Sequence, residues 1–149
     1  MAGGTDHPRD RNGLVVLDRE ECLTLLATAT LGRIGVTTGA LPRVFPVNFW
    51  FDGDRILVRT GPGTTLEAAA RHSVVAFEVD DMDAFAHTGW SVMVTGEAHA
   101  IDDPAELADL RHAPLPHWAR DLDDPVLAIE PALVSGRRIL PGRALGGSA

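Results

Sequence analysis

The chain has 149 residues and a mass of 15.9 kDa, the size of one average domain. With 45% hydrophobic and 23% charged residues, its composition is that of a globular protein rather than a disordered or fibrous one. The formal net charge of −8 argues against a nucleic acid partner, because phosphates repel an acidic surface. No apolar run reaches the roughly 18 residues of a membrane span, and no signal-peptide core is present. These features predict a cytoplasmic protein that does not contact membranes.

Missing residue types narrow the chemistry. All 13 basic residues are arginines, which excludes a Schiff-base lysine and the lysine of a phosphate-binding P-loop. There is no tyrosine, so no phenol serves as acid or base. Cys22 is the only cysteine, which excludes an internal disulfide. His112 and His117 lack a third ligand nearby, and the acidic run 80–83 lacks calcium-loop spacing, so no metal site is predicted.

The distribution of polar residues predicts a single domain. Residues 1–13 and 141–149 are polar and contain glycine and proline, and we expect them to be flexible tails. Residues 14–140 contain no internal repeat and no linker that would separate two units. One compact domain over 14–140 is therefore expected.

Three helix starts carry capping signals. An acidic or hydroxyl residue followed three positions later by glutamate satisfies the first backbone N–H groups of a helix. This pattern occurs at Asp18–Glu21, Thr64–Glu67 and Asp103–Glu106. It predicts a helix over about 19–29 and two shorter helices further along the chain.

Most of the remaining chain has the composition of β-strands. Asp52-Gly53 lies between two such runs and is a strong signal for a two-residue hairpin. The strands do not alternate with helices, which favours a mainly β fold, an antiparallel barrel of six to seven strands, over a βαβ fold. The predicted strand runs are 33–38, 43–51, 55–60, 74–80, 90–101 and 126–140.

The run 90–101 alternates strictly between its two faces. One face carries Trp90, Val92 and Val94, followed by small residues at 96, 98 and 100. This alternation is typical of a half-buried strand. The small residues indicate a tight barrel interior or a sharply curved strand.

The segment 56–72 has the residues of an anion site. A strand leads to Arg59 and Thr60, a glycine-proline turn follows, and Thr64 begins a helix. Backbone N–H groups at a helix start, threonine hydroxyls and an arginine together suit a phosphate. The alternative is a capped helix that follows an ordinary loop, with Arg59 in solvent.

Two further features leave alternatives open. Asn48 lies in an otherwise apolar strand, so its amide bonds either a backbone group or the polar edge of a ligand. Arg137 and Arg138 are adjacent in a strand and therefore point to opposite faces. One is expected in solvent, and the other could reach a phosphate or a carboxylate across a subunit interface.

The order of several motifs resembles a known family. The chain reads GRIGV, PVNF, a DG hairpin, RTxxGxxL, VAFEVD and GWSVMVTGEA. This order resembles the pyridoxamine 5'-phosphate oxidase-like, FMN-binding split-barrel family over residues 14–140. The similarity is greatest to the small branch that includes nitroimidazole-resistance proteins and actinobacterial flavoproteins. It implies a split barrel that holds its cofactor between the two protomers of a homodimer.

The resemblance also implies positions for the cofactor-binding residues. The isoalloxazine is expected along one strand, the phosphate at the turn, and two residues of a later strand nearby. In this sequence Thr65 stands where the family's TxxGxK turn has lysine, so a deazaflavin is an alternative to FMN. The implied residues are Pro46, Val47, Asn48 and Phe49 for the ring, Arg59, Thr60, Gly63, Thr64 and Thr65 for the phosphate, and Trp90 and Ser91 from the later strand.

The function implied is that of an FMN-binding oxidoreductase that acts on a small planar acceptor. The cofactor would carry the electrons, so no residue is assigned as a catalytic acid or base. One alternative is a non-catalytic binding or sensor protein that uses the same groove for a flavin or a deazaflavin. Another is a structural dimer with an empty groove.

Overall fold

A computed structural model describes residues 7–116 and 123–141. His117, residues 1–6 of the predicted N-terminal tail and residues 142–149 of the predicted C-terminal tail lie outside the described residues. The described part contains nine strands and three short helices. In chain order they are β1 (Val15–Leu17), α1 (Arg19–Thr28), β2 (Leu31–Thr38), β3 (Leu41–Asn48), β4 (Trp50–Phe51), β5 (Ile56–Arg59), α2 (Thr65–Ala70), β6 (Ser73–Asp83), β7 (Thr88–Ala100), α3 (Pro104–Leu110), β8 (Val126–Ile129) and β9 (Leu133–Ile139).

The strands form one antiparallel sheet, which confirms the mainly β fold class. Along the sheet the order is β3-β2-β6-β7-β8-β5-β4, and β9 pairs with both β1 and β7. The long strand β7 pairs with β6 along one edge, and along its other edge with β9 and then with β8. Because β7 serves these three neighbours, the sheet curls around a common interior.

The structure has nine strands, where the sequence predicted six or seven. The predicted run 43–51 is interrupted at Phe49, which lies between β3 and β4, although its N–H still donates to the Thr30 carbonyl at 3.0 Å in the register of β2 and β3. The predicted run 126–140 breaks around Pro131, which has no N–H to donate. Strand β1 was not predicted, since its three residues are too few to show a period.

The three helices begin at the predicted capping residues. The glutamate of each capping signal, however, bonds a different kind of partner. At α1 both halves of the Asp18–Glu21 capping box are formed. At α2 the Thr64 hydroxyl accepts from the Glu67 N–H, while the Glu67 carboxylate accepts from the N–H of Gly63. At α3 Asp103 caps the helix, and the Glu106 carboxylate pairs with Arg55 at 2.7 Å. A tertiary partner has thus replaced the local one at Glu106.

The interior faces of the strands form the main core. Phe49 and Phe77 meet edge to face there, with ring centroids 4.9 Å apart. The predicted alternation of β7 is confirmed, since Val92, Val94 and the small residues at 96, 98 and 100 are buried. A side chain at Gly96 would overlap the backbone carbonyl of Glu130, so the bulge between β8 and β9 requires glycine at the facing position of β7.

The opposite face of the sheet, made by β3, β2, β6, β7 and β9, is here called the outer sheet face. Paired residues of neighbouring strands form rows across this face. One row consists of Val44, Gly35, Ala76, Thr95 and Leu133. Val44 and Leu133 are 67% and 70% exposed. In the next row Arg33 pairs with Glu78 at 3.2 Å. The outer sheet face therefore exposes apolar side chains towards its edges, beside central charges that are paired to each other.

The described part of the predicted N-terminal tail contacts the domain. The N–H of Val16 donates to the Pro8 carbonyl at 2.8 Å. Arg137 Nε donates to the Asp10 carboxylate at 3.0 Å, on the side of β9 opposite to Arg138. The carboxylate near Arg137 is therefore one of its own chain.

Candidate functional site

A cleft of about 620 Å³ lies where β3 and β5 end and α2 begins. This volume falls within the range of small-molecule sites, about 300–1,000 Å³. Eight of the eleven predicted binding residues line it. The lining residues are Phe45, Pro46, Val47, Asn48, Arg59, Thr60, Gly61, Gly63, Thr64, Thr65, Leu66 and Pro116.

Local sequence explains how the chain turns at this cleft. Strand β5 ends at Arg59, and the Thr60 N–H is held by the Pro125 carbonyl at 2.9 Å. Gly63 then adopts a φ of +68°, a left-handed conformation that side chains disfavour. Thr64 is extended and starts α2. The Gly61–Thr65 turn therefore places two glycines and two threonines against the cleft.

Arg59 provides the positive charge. Among the described residues that line the cleft, no other is cationic. Its Nη1 donates to the Asp124 carbonyl at 3.4 Å. Burial lowers the pKa of the guanidinium, while the charge of Asp124 opposes this effect, Arg111 adds to it and Asp123 opposes it. An arginine stays protonated under these conditions, so the cleft keeps its cation at neutral pH.

The three threonines have different surroundings. Thr60 is only 3% exposed, and its hydroxyl lies 3.5 Å from the Pro125 carbonyl. The Thr64 hydroxyl accepts from the Glu67 N–H at 3.1 Å, which leaves its own O–H as a donor. Thr65 is exposed at the first helical position. Thr64 and Thr65 are thus the hydroxyl residues best placed to meet a ligand anion.

The Glu67 carboxylate bonds the backbone of the Gly61–Thr65 turn without lining the cleft. Glu67 Oε2 accepts from the N–H of Gly63 at 2.5 Å, and Oε1 accepts from Arg71 Nη2 at 2.9 Å. The Glu67 side chain is only 13% exposed. The sequence indicated Glu67 as a capping residue alone, because the capping box predicts a bond to the Thr64 N–H, whereas the carboxylate bonds the N–H of Gly63 one residue earlier.

Three predicted binding residues do not line this cleft. Phe49 is buried in the main core, since it follows Asn48 and alternation turns it inward. Trp90 also faces inward and packs against that core. Ser91 lies on the outer sheet face, opposite Asp80 and Arg137 in register. Their contact with a cofactor stays a prediction.

Four lining residues were not among those predicted. Phe45, Gly61 and Leu66 are sequence neighbours of predicted residues, so a wider window around each motif would have included them. Pro116 follows α3, about fifty residues after the turn, and no local signal marks it. Only the packing of α3 and the chain after it brings Pro116 to the cleft.

Neither a metal-ligand cluster nor a membrane-spanning helix is found among the described residues. Within 7–116 and 123–141, no group of three or more histidine, cysteine, aspartate or glutamate side chains is arranged to hold a metal ion. In the same ranges, no helix has the length and apolar character needed to cross a membrane.

Comparison with known proteins identifies the family. Residues 18–138 match the family model described as pyridoxamine 5'-phosphate oxidase. An uncharacterised protein of Mycobacterium tuberculosis is 41% identical over 139 residues, which are 89% of this chain and 90% of that protein. The chain therefore belongs to the pyridoxamine 5'-phosphate oxidase family, as its motif order had indicated.

Solved structures agree with this assignment. The FAD binding protein from Mycobacterium smegmatis is 36% identical, with a TM-score of 0.72 over 83% of this chain and 96% of that one. A conserved protein of unknown function from Corynebacterium diphtheriae is 29% identical, with a TM-score of 0.70 over 85% of this chain and 98% of that one. The predicted split barrel is thereby confirmed as the fold of this chain.

Proposed function

We propose that this protein binds a flavin in the cleft and acts as a small oxidoreductase. The observation that carries the proposal is the meeting of two separate chain segments. Pro46–Asn48 supply an apolar wall that ends in an amide, and Arg59 with the Gly61–Thr65 turn supplies a cation and hydroxyls. A flavin has the matching parts, an aromatic ring with a polar edge and a phosphate.

The residues of the cleft fit these parts in a definite order. Pro46 and Val47 offer apolar contact to the ring, and the Asn48 amide offers a donor and an acceptor to its polar edge. Arg59, Thr64 and Thr65 offer charge-assisted and neutral hydrogen bonds to the phosphate. When bound, the flavin supplies the electron transfer, and the protein supplies binding and orientation.

FMN and FAD are the two candidates for the bound flavin, in addition to the deazaflavin. FMN follows from the resemblance of the 60–65 turn to the family's phosphate turn. FAD is favoured by the Mycobacterium smegmatis relative, which carries FAD binding in its name and is 36% identical. Thr65 stands in place of the family's lysine, so the turn lacks a second cation for the phosphate. This weakens the case for FMN.

We further propose a homodimer in which the outer sheet face is the interface. This face exposes Val44, Val74 and Leu133 and contains Pro46 and Asn48 of the cleft at its β3 side. An isologous contact would cover these apolar groups and close the cleft from outside. Ser91 lies on the same face, so a second copy could bring it towards the flavin. The cytoplasmic location stays a prediction.

Purification of the protein tests the cofactor proposal directly. A yellow protein whose released chromophore has the mass of FMN, FAD or a deazaflavin would support it and decide between them. Reduction by a nicotinamide cofactor and turnover of a quinone or nitro compound would support the oxidoreductase. Binding without turnover would favour the sensor alternative. A colourless protein that binds none of the three cofactors on titration would overturn the proposal.

A further inference from the structure

We infer that Glu67 determines which flavin the cleft accepts, by disfavouring a terminal phosphate monoester at the Gly61–Thr65 turn. This inference rests on the proposed flavin site. It concerns a residue that does not line the cleft but bonds its wall, since Glu67 Oε2 accepts from the N–H of Gly63 at 2.5 Å. Glu67 is therefore a positioning and specificity residue.

The first step is a matter of hydrogen-bond donors. A backbone N–H has one hydrogen to donate, and that of Gly63 is directed at the Glu67 carboxylate. A phosphate at the turn must therefore use the remaining donors there, such as the hydroxyls of Thr64 and Thr65, or displace the carboxylate. In either case the turn offers one donor fewer than its glycine-rich sequence suggests.

The second step is charge. The Glu67 side chain is 13% exposed, so water screens its carboxylate weakly. Its ion-pair partner, Arg71, is 47% exposed and bonds the other carboxylate oxygen, Oε1, at 2.9 Å. The negative end of this pair therefore contacts the cleft wall, and the positive end extends into solvent. A ligand at the turn experiences more repulsion from Glu67 than attraction from Arg71.

The third step is the charge that the ligand brings. A phosphate monoester carries about −1.5 to −2 at neutral pH, whereas each phosphate of a diphosphate linkage between two sugars carries one negative charge. Arg59 is the cation available among the described lining residues, and Thr65 adds none. One arginine balances a singly charged phosphate but not a dianion beside a carboxylate. The turn therefore favours a flavin with a diphosphate linkage, such as FAD, over FMN.

The test compares the affinities of riboflavin, FMN and FAD for the full chain and for Glu67→Gln, measured by quenching of flavin fluorescence. Glutamine keeps an oxygen that accepts from Gly63, and it removes the charge together with the oxygen that bonds Arg71. We expect Glu67→Gln to bind FMN about 3- to 10-fold more tightly, because one charge at a few ångströms is removed. Riboflavin, which has no phosphate, should change less than about twofold. The FMN gain should shrink in high salt.

Two further variants complete the design. Arg71→Gln leaves the carboxylate without its counter-ion, so FMN affinity should fall while riboflavin affinity stays the same. Glu20→Gln makes the same charge change in the first turn of α1, away from the cleft, and should alter neither. Equal ratios of FMN to riboflavin affinity in the parent and Glu67→Gln would overturn the role of Glu67 while the flavin site stands. A parent chain that binds no flavin would overturn the proposed function itself.

Discussion

Charge at the cleft is decided by two residues on either side of the Gly61–Thr65 turn. Arg59, at the end of β5, presents a half-buried guanidinium to the cleft, and Glu67, in α2, holds a carboxylate against the backbone of the turn. The sequence contains no lysine that could compensate. Anion binding at this end of the cleft therefore depends on a single cation and on how far its field exceeds that of the neighbouring carboxylate.

Replacement of the cation tests its role. Arg59→Ala should weaken flavin binding about 10- to 150-fold, because a charge-assisted hydrogen bond contributes about 1.5–3 kcal/mol. Riboflavin should be affected much less. Titration of both ligands into the variant measures this. Arg11→Ala removes the same charge from an exposed residue near the N-terminus and serves as the control. Equal FMN affinity in Arg59→Ala and the parent would refute the phosphate assignment.

The opposite experiment, in which a cation is added to the cleft, is possible at residue 65. Thr65 lines the cleft at the first position of α2, where the family's turn has lysine. Thr65→Lys should improve FMN binding by roughly tenfold, which corresponds to about 1.4 kcal/mol for one added cation. Isothermal titration of FMN and riboflavin measures this gain. If FMN affinity does not change, residue 65 faces away from the phosphate and the assigned turn is misaligned.

Asp52 at the β4–β5 hairpin predicts a pH dependence of stability. Burial acts to raise the pKa of this carboxyl, but hydrogen bonds from the Arg55 and Asp54 N–H groups and the Arg55 guanidinium outweigh burial and leave the pKa below its ordinary value. A lowered folded pKa adds stability above the unfolded pKa, about 3.9, which is lost as pH falls through the folded pKa.

Asp52→Asn should therefore lower the free energy of unfolding by about 1 kcal/mol at neutral pH, since a charged acceptor becomes neutral. The difference from the parent should shrink below about pH 4, as the parent's carboxyl takes up its proton. Urea unfolding at several pH values measures it. Asp54→Asn makes the same charge change in the same hairpin without the hydrogen bonds and should differ little from the parent. A pH-independent difference would contradict this account.

At the scale of the elements, close approach of backbones decides where the sheet closes. Strands β8 and β9 follow one another along the same edge of β7, where Ala98 pairs with Ile129 and Thr95 pairs with Leu133. The connecting chain therefore has one residue more than the facing segment of β7 and forms a bulge. The bulge lies against Gly96, where a side chain would overlap the Glu130 carbonyl. The Glu130 N–H donates to the Glu97 carbonyl and the Ala132 N–H to the Thr95 carbonyl, both at 3.1 Å, so the bulge is tied to β7 on both sides of Gly96.

Gly96→Ala tests the close approach of this bulge to β7. The added methyl group would overlap a backbone carbonyl that cannot rotate away, so we expect a loss of about 1–3 kcal/mol in the free energy of unfolding. Gly35→Ala is the matched control, because a methyl group there would meet Ala76 Cβ at an ordinary 3.5 Å. Chemical denaturation compares the two. Equal stability of both variants would show that the bulge moves away from residue 96 without cost.

At the scale of the whole molecule, the outer sheet face has no cover within the described part of the chain. Val44, Val74, Met93 and Leu133 are exposed on it, next to two residues of the cleft. Burial of apolar surface of this kind drives association of subunits. The cleft and the proposed interface are therefore parts of one surface, and dimer formation and flavin binding should be coupled.

A charge placed on this face should separate the subunits. Light scattering of the parent at micromolar concentration should give twice the chain mass of 15.9 kDa, and Val44→Glu should shift it towards one chain and weaken flavin binding. Leu41→Glu is the control, because Leu41 is 68% exposed on the same strand but points to the other side. A parent mass of one chain, or a dimer unaffected by Val44→Glu, would refute the interface.

Local sequence was sufficient for the features that depend on neighbours along the chain. The capping residues Asp18, Thr64 and Asp103 start the three helices, because an N-cap bonds N–H groups only two or three positions away. The period-2 alternation of β7 is likewise a local property and correctly separates its two faces. The family and the split barrel followed from the order of such local motifs.

Tertiary structure alone decided several of the contacts. Phe49 meets Phe77 in the core, and Pro116 reaches the cleft from a distant segment. Glu106 bonds Arg55 of a distant segment, whereas Glu67, with the same capping signal, bonds Gly63 and Arg71, each four positions away. The physical reason is that a side chain bonds the partners that packing brings near it. The spacing of residues along the chain identifies only the partners that are close in sequence.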